Sequence, residues 1–475
     1  MSTLPIFAVV GHPNKGKSSI VAALTHSDAV AISALSGTTT QAQAFDFYVA
    51  GNANALYRLV DTPGFQRPRQ MLELLNEQTL DASQRIAAIN NFIACHAVSA
   101  KESGRFSDEI ELLTPIMAGA GILYVVDGSV PYAPEYEAEM TLLQWTGQPR
   151  MALINPIGGE HYVAQWQAAL GQFFNIVRVF NPMTDGIEKQ CSVLNAFAEL
   201  YPKWRQQLIL SQQEISQQKN QHAQQAAQLI SGYMADVLPL HLNTPLVPAI
   251  SGGQLLRHVQ AGLEENLKNK YKLQLGAQEE KYQQAILALY AHHHVVSEAN
   301  AMDINYPDLF DQNQWYLFGL TRKKLVLLSA GGGAAAGAVL DLGVGGTSLM
   351  TGAILGGLTS AAASFYLSAA PEKISLKNIP LGGQQLTIGP IKNLQFAFVL
   401  LGRALSFQRA VALRSHANRN IMLVNNDHES TWLNRLTHKQ QLQLTRLLQQ
   451  GYKGLSEQDI QLFNTLLNDL LADKP

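Results

Sequence analysis

Cysteine and charged side chains are both scarce in this sequence of 475 residues. The two cysteines, Cys95 and Cys191, are too few for a zinc cluster or a disulfide framework and are typical of a reducing compartment. Charged residues make up 15% of the chain, whereas about 25% is usual for a soluble protein. This low share of charge indicates that part of the chain avoids water.

Strong net charge and a secretion signal are also missing. The formal net charge is −2, which gives no global attraction to nucleic acid, so we expect no nucleic-acid partner, with a local basic patch as the alternative. Residues 1–5, MSTLP, lack the charged and apolar segments of a signal peptide, so we expect the N-terminal domain to face the cytosol. Hydrophobic residues make up 47% of the chain, which is typical of a folded protein large enough for two or three domains.

A phosphate-binding sequence lies near the N-terminus. Residues 11–18, GHPNKGKS, match G-x-x-x-x-G-K-[ST]. The apolar run 6–10, IFAVV, precedes them, and residues 19–24, SIVAAL, follow with helical spacing. A chance glycine turn is the alternative interpretation. The strand on one side and the helix on the other favour a P-loop instead.

The residue types of this loop suit phosphate chemistry. Gly11 and Gly16 let the backbone N–H groups point at phosphate oxygens, and the following helix adds the positive end of its dipole. Lys17 supplies a positive charge for the β- and γ-phosphates, and the Ser18 hydroxyl is a ligand for Mg²⁺.

A second phosphate-side sequence follows two predicted strands, 45–49 and 55–60. Residues 61–65 read DTPGF, which places an aspartate at the end of a strand and a glycine in the next turn. This is the arrangement of the Mg²⁺-side and γ-phosphate-sensing corner of P-loop GTPases, where the backbone N–H of Gly64 would meet the γ-phosphate. An ordinary Asp/Pro/Gly turn is the alternative, and the position downstream of a P-loop argues against it.

The rest of the first 200 residues alternates strands with helices. We predict strands at 118–127, 150–155 and 176–180 and helices at 135–145, 161–173 and 187–200. This alternation indicates an α/β fold with a mostly parallel sheet and ligands at the carboxyl ends of the strands. Helical spacing at 66–115 indicates an inserted helical segment.

Three sequences together, GHPNKGKS, SGTTT at 36–40 and DTPGF, resemble those of TrmE/Era/EngA-like P-loop GTPases. Typical members of that group show G-x-P-N-x-G-K-S, G-T-T-R and D-T-P-G. The resemblance covers about residues 5–200. It implies a GTPase that hydrolyses GTP to GDP with Mg²⁺ as cofactor.

The resemblance also implies roles for single residues. Lys17, Thr39 and Gly64 would be the catalytic residues, with Thr38 and Thr40 as alternatives to Thr39. Mg²⁺ would be held by Ser18, Thr39 and Asp61. Nucleotide binding would involve Gly11, Asn14, Lys15, Gly16, Lys17, Ser18, Ser19 and Asn155.

Two side chains bear on how hydrolysis would be activated. Asn14 matches the asparagine that, in potassium-dependent members, helps to place K⁺ where other GTPases use an arginine. Phe65 lies where Ras-like proteins have a catalytic glutamine. Because a phenyl ring cannot orient water, we expect intrinsic hydrolysis to be slow or to use another group.

The sequence departs from the family at the guanine-recognition segment. Residues 155–158 read NPIG where the family has N-K-x-D, so Asn155 is present but Pro156 and Gly158 replace the lysine and the aspartate. The aspartate normally accepts hydrogen bonds from guanine, so guanine preference loses its main polar basis. We favour GTP on family grounds, with relaxed or ATP-tolerant binding as the alternative.

The stretch 325–370 has only one charged residue, Asp341, and is rich in glycine and alanine. It contains two G-x-x-x-G repeats, and the basic residues 322–324, RKK, precede it. We predict an apolar helical hairpin that associates with membrane lipid, and a buried hairpin in a water-soluble core is the alternative.

These observations predict four segments: a GTPase domain at 1–203 with the insertion at 66–115, a helical region at 204–324, the hairpin at 325–370, and a helical C-terminal domain at 371–475. The leading functional interpretation is a nucleotide-controlled switch at the cytoplasmic face of the inner membrane, or in the cytoplasm. The alternatives are a soluble GTPase associated with the ribosome or RNA, and a nucleotide-binding scaffold that hydrolyses poorly. A second copy, bound through the GTPase domain, is a further candidate partner.

Overall fold

The computed structural model describes residues 4–26, 30, 41–48, 54–79, 81–103, 105–245, 253–292, 304–305, 375–376, 379–380, 385–418, 422–423 and 431–471. The chain divides into two compact units. The first comprises Met1–Lys219, Ala291–His294 and Leu413–Asn420, and the second comprises Asn220–Tyr290, Val295–Ala412 and Ile421–Pro475.

The first unit alternates strands and helices, as the sequence predicts. Its elements are β1 (Ile6–Val10), α1 (Lys17–Thr25), β2 (Gln43–Phe47), β3 (Tyr57–Asp61), α2 (Pro68–Gln78), α3 (Arg85–Ser103), α4 (Ser107–Met117), β4 (Gly121–Asp127), α5 (Tyr136–Trp145), β5 (Arg150–Asn155), α6 (Val163–Leu170), β6 (Val177–Val179), α7 (Ile187–Leu200) and the start of α8 (Arg205–Val237).

The six strands form one sheet in the order β2-β3-β1-β4-β5-β6. Strand β2 is antiparallel to β3, and the other neighbours are parallel. The prediction of a mostly parallel α/β sheet is therefore confirmed. The carboxyl ends of β1, β3, β4 and β5 meet at one edge, which is where such sheets bind ligands.

Successive side chains of β1 lie on opposite faces of the sheet. Phe7 and Val9 belong to one hydrophobic core, and Ala8 and Val10 belong to the other. The first core includes residues of α1, α7 and the beginning of α8, and the second includes residues of α2 to α6. The sheet thus has helices on both faces, as the apolar strands of a parallel sheet require.

Two short pieces of chain from later in the sequence complete the first unit. Ala417 is fully buried in the same core as Phe7. The Ser415 hydroxyl donates a hydrogen bond to the carbonyl of Pro182, in the loop after β6. The His416 ring stacks on His292, with 4.3 Å between ring centroids.

The second unit is mainly helical. It contains the rest of α8, then β7 (Leu242–Pro245), α9 (Gly253–Leu289), β8 (Ile304–Asn305), β9 (Ser375–Leu376), β10 (Ile379–Pro380), β11 (Gln385–Ile388), α10 (Leu394–Ala412), β12 (Met422–Leu423), α11 (His438–Gln450) and α12 (Glu457–Leu471). Strand β7 pairs antiparallel with β11.

One hydrophobic core holds the helices of the second unit together, with members from α8 to α12. Arg403 of α10 forms a buried ion pair with Glu279 of α9, with Nε at 2.9 Å from Oε1 and Nη2 at 3.2 Å from Oε2. A two-point contact of this kind satisfies both charges away from water.

The predicted apolar hairpin at 325–370 lies outside the described residues, so it stays a prediction. Within the part of the chain that the structure describes, none of the helices combines the length and the apolar character needed to cross a membrane.

Candidate nucleotide site

The loop between β1 and α1 has the backbone of a phosphate cradle. Gly11 has φ +145°, and a Cβ there would lie 2.3 Å from the carbonyl oxygen of Val125 in β4. Only glycine fits such a position. The loop therefore turns tightly over the sheet edge and delivers Lys17 to the first turn of α1.

Lys17 lies almost completely out of water, with 7% of its surface exposed. Its Nζ donates hydrogen bonds to the carbonyl oxygens of Gly11 (3.3 Å) and His12 (3.1 Å). Burial lowers the pKa of Lys17, and the negative charges of Asp61 and Glu139 oppose that shift. A bound phosphate would act in the same direction as these carboxylates and favour the charged ammonium.

The structure brings together Ser18 and Asp61, two of the three residues that the resemblance implies for Mg²⁺. The Ser18 hydroxyl donates to Asp61 Oδ2 at 2.7 Å, and Asp61 is buried at the end of β3. A hydroxyl and a carboxylate are the oxygen ligands that Mg²⁺ takes beside nucleotide phosphates. These two residues fit the metal. Thr39, the third expected ligand, lies outside the described residues together with Thr38 and Thr40.

The loop after Asp61 packs directly on the P-loop. A Cβ on Gly64 would lie 2.6 Å from both the backbone nitrogen and the Cδ of Pro13. The Thr62 hydroxyl donates to the carbonyl of Val9 at 2.7 Å, which fixes the loop to β1. The backbone of Gly64 is thus in contact with the P-loop.

Phe65 is fully buried in the core that also contains Met71 and Leu75 of α2. It packs the start of the inserted helices against the sheet.

The remaining P-loop side chains differ in exposure. Asn14 is exposed and has φ +62°, a left-handed conformation that asparagine tolerates. Ser19 is buried in α1. Lys15 Nζ lies 3.9 Å from Asp127 Oδ2 at the end of β4.

On the base side of the site, the chain keeps the asparagine of N-K-x-D as Asn155 and has Gly158 in place of the aspartate. Asn155 Nδ2 donates to the carbonyl of Lys15 at 3.2 Å, so Asn155 supports the P-loop. Gly158 lies beside Ser129: a Cβ on Gly158 would be 3.3 Å from the Ser129 Cβ and Oγ. Apolar side chains are exposed on the two neighbouring loops, Ile157 at 55% and Met183 at 39%.

A hydrogen-bonded network beside the P-loop was not predicted from the sequence. His12 Nδ1 lies 2.9 Å from Glu139 Oε1, and the Tyr124 hydroxyl donates to Glu139 Oε2 at 2.9 Å. Glu139 is 1% exposed. It lies three residues after Tyr136 and one before Met140, on the apolar stripe of α5. A carboxylate on an apolar helix stripe is the signal that could have found it.

Two glutamates of α4 contact the segments on either side of the site, and these too were missed. Glu109 Oε1 accepts hydrogen bonds from the backbone N–H groups of Gln66 (2.9 Å) and Arg67 (2.6 Å). Glu111 Oε2 accepts from the backbone N–H of Ala42 at 3.2 Å. Glu109 also occupies an apolar stripe position, because it lies three residues before the buried Leu112.

Comparison with protein-family models gives two matches. Residues 6–155 match the family described as "50S ribosome-binding GTPase". This match confirms that the N-terminal domain is a P-loop GTPase domain of the Era/EngA-like type. Residues 167–462 match a second family model, which covers more than half of the chain.

Similar proteins include GTPase Der of Enterococcus faecalis, which is 29% identical over 121 residues, covering 26% of this chain and 27% of that one. GTPase Der of Christiangramia forsetii is 35% identical over 102 residues, covering 20% and 21%. The chain thus spans about a quarter of the length of these curated relatives.

Two structures of Era are among the similar solved structures. One, from Aquifex aeolicus, is bound to GDP·AlF4⁻, with TM-score 0.29, 14% identity, and 53% of this chain and 74% of that chain covered. The other is in complex with MgGDPNP and nucleotides 1506–1542 of 16S ribosomal RNA, with TM-score 0.29, 13% identity, and 54% and 75% covered. A TM-score this low supports no statement about fold or function.

The family assignment of the whole chain rests on the longer of the two family matches. That match begins in α6, inside the first unit, and ends in α12 of the second. The chain therefore belongs to the family described as Domain of unknown function (DUF3482).

Proposed function

We propose that the protein binds GTP, hydrolyses it to GDP with Mg²⁺ as cofactor, and acts as a nucleotide-controlled switch. One observation supports this most strongly. The buried Lys17, the Ser18–Asp61 pair at 2.7 Å and the backbone of Gly64 against Pro13 all lie at one edge of the sheet. These are the groups that phosphoryl transfer requires on the phosphate side.

Each residue has a distinct part in the proposed reaction. The ammonium of Lys17 stabilises charge on the β- and γ-phosphates, and the N–H of Gly64 donates to the γ-phosphate. Mg²⁺ would be held by Ser18, Thr39 and Asp61 and would neutralise charge as it develops on the phosphate oxygens. Loss of the γ-phosphate removes the partner of Gly64, which frees the loop that follows it.

The activating group is proposed to be K⁺ placed with the help of Asn14. The exposed position of Asn14 in the loop leaves its side-chain oxygen accessible to a cation. The buried Phe65 supports a mechanism that does not use a side chain at that position to orient water.

Phosphate release tests this proposal. Wild-type protein with GTP and Mg²⁺ should release phosphate faster in K⁺ than in Na⁺, and Asn14→Ala should remove the difference. If GTP is bound but phosphate is released at the same negligible rate in both salts, the alternative of a hydrolysis-poor scaffold is supported instead. If GTP and ATP bind equally, the base preference is relaxed.

We further propose that residues 325–370 associate with membrane lipid, which would place the switch at the cytoplasmic face of a membrane. The support is the single charge in this stretch and its glycine repeats. Flotation with anionic vesicles should bring the full-length protein to the top of a density gradient. Deleting 325–370 should leave it at the bottom, and a full-length protein that stays at the bottom would contradict this proposal.

A ribosome- or RNA-associated GTPase is the second candidate. The family matched by residues 6–155 is described as ribosome-binding, which goes against our expectation of no nucleic-acid partner. Co-sedimentation with ribosomes at increasing salt distinguishes a ribosome- or RNA-associated GTPase from a membrane-associated switch. Contacts to the phosphate backbone of RNA weaken steeply with salt, so such binding should be lost as the salt concentration rises. Pairing of two GTPase domains and the predicted segments 1–203, 204–324, 325–370 and 371–475 remain proposals as well.

A further inference from the structure

Helix α4 is linked to the loop that follows Gly64 by one buried carboxylate. Glu109 is 1% exposed, and its Oε1 accepts from the N–H groups of both Gln66 and Arg67. Arg67 is the N-cap residue that precedes Pro68 at the start of α2, so Glu109 also lies at the positive end of that helix. A charged acceptor serving two N–H donors makes stronger hydrogen bonds than a neutral one.

The opposite side of this short loop is fixed by the P-loop. Gly64 packs on Pro13, and Thr62 is bonded to β1 through its hydroxyl. The segment from Thr62 to Arg67 therefore has two attachments, one at β1 and the P-loop and one at α4. Because only a few residues separate them, a shift of Gly64 toward or away from the γ-phosphate would also shift the Gln66 and Arg67 amides that Glu109 holds.

The same helix contacts the other nucleotide-sensing segment. Glu111, two residues after Glu109, accepts from the backbone N–H of Ala42, which begins the approach to β2. Ala42 follows residues 36–40, where the expected Mg²⁺ threonine lies. One turn of α4 thus has contacts to both segments that would respond to the γ-phosphate.

A plain packing role for Glu109 is less consistent with its surroundings. Burial of a carboxylate costs several kcal/mol unless its hydrogen bonds are made, and an apolar residue would fill the stripe position at no such cost. The neighbouring stripe positions are apolar: Phe106, Leu112, Leu113 and Ile116 are all buried in the core. Among the described residues, the hydrogen bonds to the Glu109 carboxylate come from the loop after Gly64.

We propose that Glu109 is a positioning residue of the nucleotide switch. Its carboxylate holds the loop after Gly64 at the separation from the P-loop at which the Gly64 N–H reaches the γ-phosphate. When the γ-phosphate is lost, the loop and Glu109 move together, and α4 transmits the change to α2 and α3. This inference rests on the proposed GTP-dependent function.

The test compares full-length wild type, Glu109→Gln and Glu77→Gln. Glutamine keeps the size of residue 109 but removes its charge, and Glu77 is an exposed glutamate of α2 that serves as the matched control. Affinities for GDP and for a non-hydrolysable GTP analogue are measured by calorimetry with Mg²⁺. Thermal midpoints are recorded in parallel.

Glu109→Gln should lower the affinity for the GTP analogue about tenfold and leave the affinity for GDP within about twofold. Glu77→Gln should behave as wild type. Equal losses for both nucleotides, or a lower thermal midpoint with an unchanged affinity ratio, would overturn the positioning role. Wild type that does not bind the analogue would instead count against the proposed function.

A second measurement keeps the inference testable if Glu109→Gln does not fold. Hydrogen exchange of wild-type protein is followed over peptides that cover residues 62–70. The proposal expects slower exchange at the Gln66 and Arg67 amides with the GTP analogue than with GDP. Identical exchange in the two states would contradict it.

Discussion

The phosphate side and the base side of the candidate site obey different rules. On the phosphate side, Lys17 donates to a carbonyl of the P-loop and Ser18 donates to Asp61. On the base side, Asn155 supports the P-loop, whereas Gly158 offers no side chain and Ile157 is exposed. Phosphate binding depends on backbone geometry and a few charges, while recognition of guanine depends on one carboxylate. Glycine at position 158 in place of that aspartate is therefore enough to change base recognition while the phosphate side is kept.

The strongest test of the phosphate side is Lys17→Ala. It removes the buried ammonium, and we expect nucleotide affinity to fall about a hundredfold or more, because the site loses its charge partner for phosphate. Titration with fluorescent GTP measures the loss. Lys203→Ala is the matched control, since Lys203 is an exposed lysine of the first unit that is not among the expected nucleotide-binding residues. Similar losses in both variants would show that Lys17 acts only through the overall charge of the protein.

Gly64→Ala should separate sensing of the γ-phosphate from binding. The added Cβ would lie 2.6 Å from Pro13, so the loop must move away from the P-loop. We expect hydrolysis to slow by about tenfold to a hundredfold, with GDP affinity nearly unchanged. Gly232→Ala, in open space on α8, is the control. Rates of phosphate release check the prediction, and an unaffected rate would exclude Gly64 from the reaction.

Gly158→Asp should give the base side the carboxylate that it lacks. We expect the preference for GTP over ATP to rise about tenfold, the size of a charge-assisted hydrogen bond to guanine. The side chain has to displace Ser129 slightly, because their contact would be 3.3 Å. Gly158→Asn, of the same size without the charge, should leave the preference close to wild type. Competition binding of GTP and ATP measures the preference of both variants. A strong preference for GTP in the wild type would contradict the inference that the base side has lost its means of recognising guanine.

The smallest effect is expected away from both sides of the site. Arg58 hydrogen-bonds Asp46 across β2 and β3, with Nε at 2.6 Å from Oδ1, and lowers the pKa of Asp46. Because the folded-state pKa is below the unfolded one, this carboxylate stabilises the fold above the unfolded pKa. That stabilisation is lost as the pH falls through the folded-state pKa.

Asp46→Asn should therefore reduce stability by about 0.5–1 kcal/mol near neutral pH, and the difference from wild type should vanish in acid. Thermal unfolding from pH 7 down to pH 2.5 measures this. Nucleotide affinity and base preference should both be unchanged. A change in either would mean that the sheet edge contributes to the site.

Much of the site was predictable because its signals are local. The P-loop and DTPG sequences are short, and each strand or helix next to them has the periodicity of its class, so β1, α1 and β3 were expected close to where they occur. Lys17, Ser18 and Asp61 follow from these sequences and from the parallel sheet, which brings the strand ends together.

The missed residues depend on contacts between distant parts of the chain. Glu139 meets His12 across 127 positions, and Glu109 meets Gln66 across 43. No periodicity specifies which loop a buried carboxylate will serve. The sequence does show that both glutamates interrupt an apolar stripe, which indicates a buried acceptor without naming its donor.

The return of the chain to the first unit at Leu413–Asn420 has a consequence for biosynthesis. Ala417 lies in the same core as Phe7 of β1, and Ser415 is bonded to the loop after β6. On the ribosome, β1 to α7 emerge long before Ser415 and Ala417. The core of the first unit is consequently complete only after most of the chain has been translated.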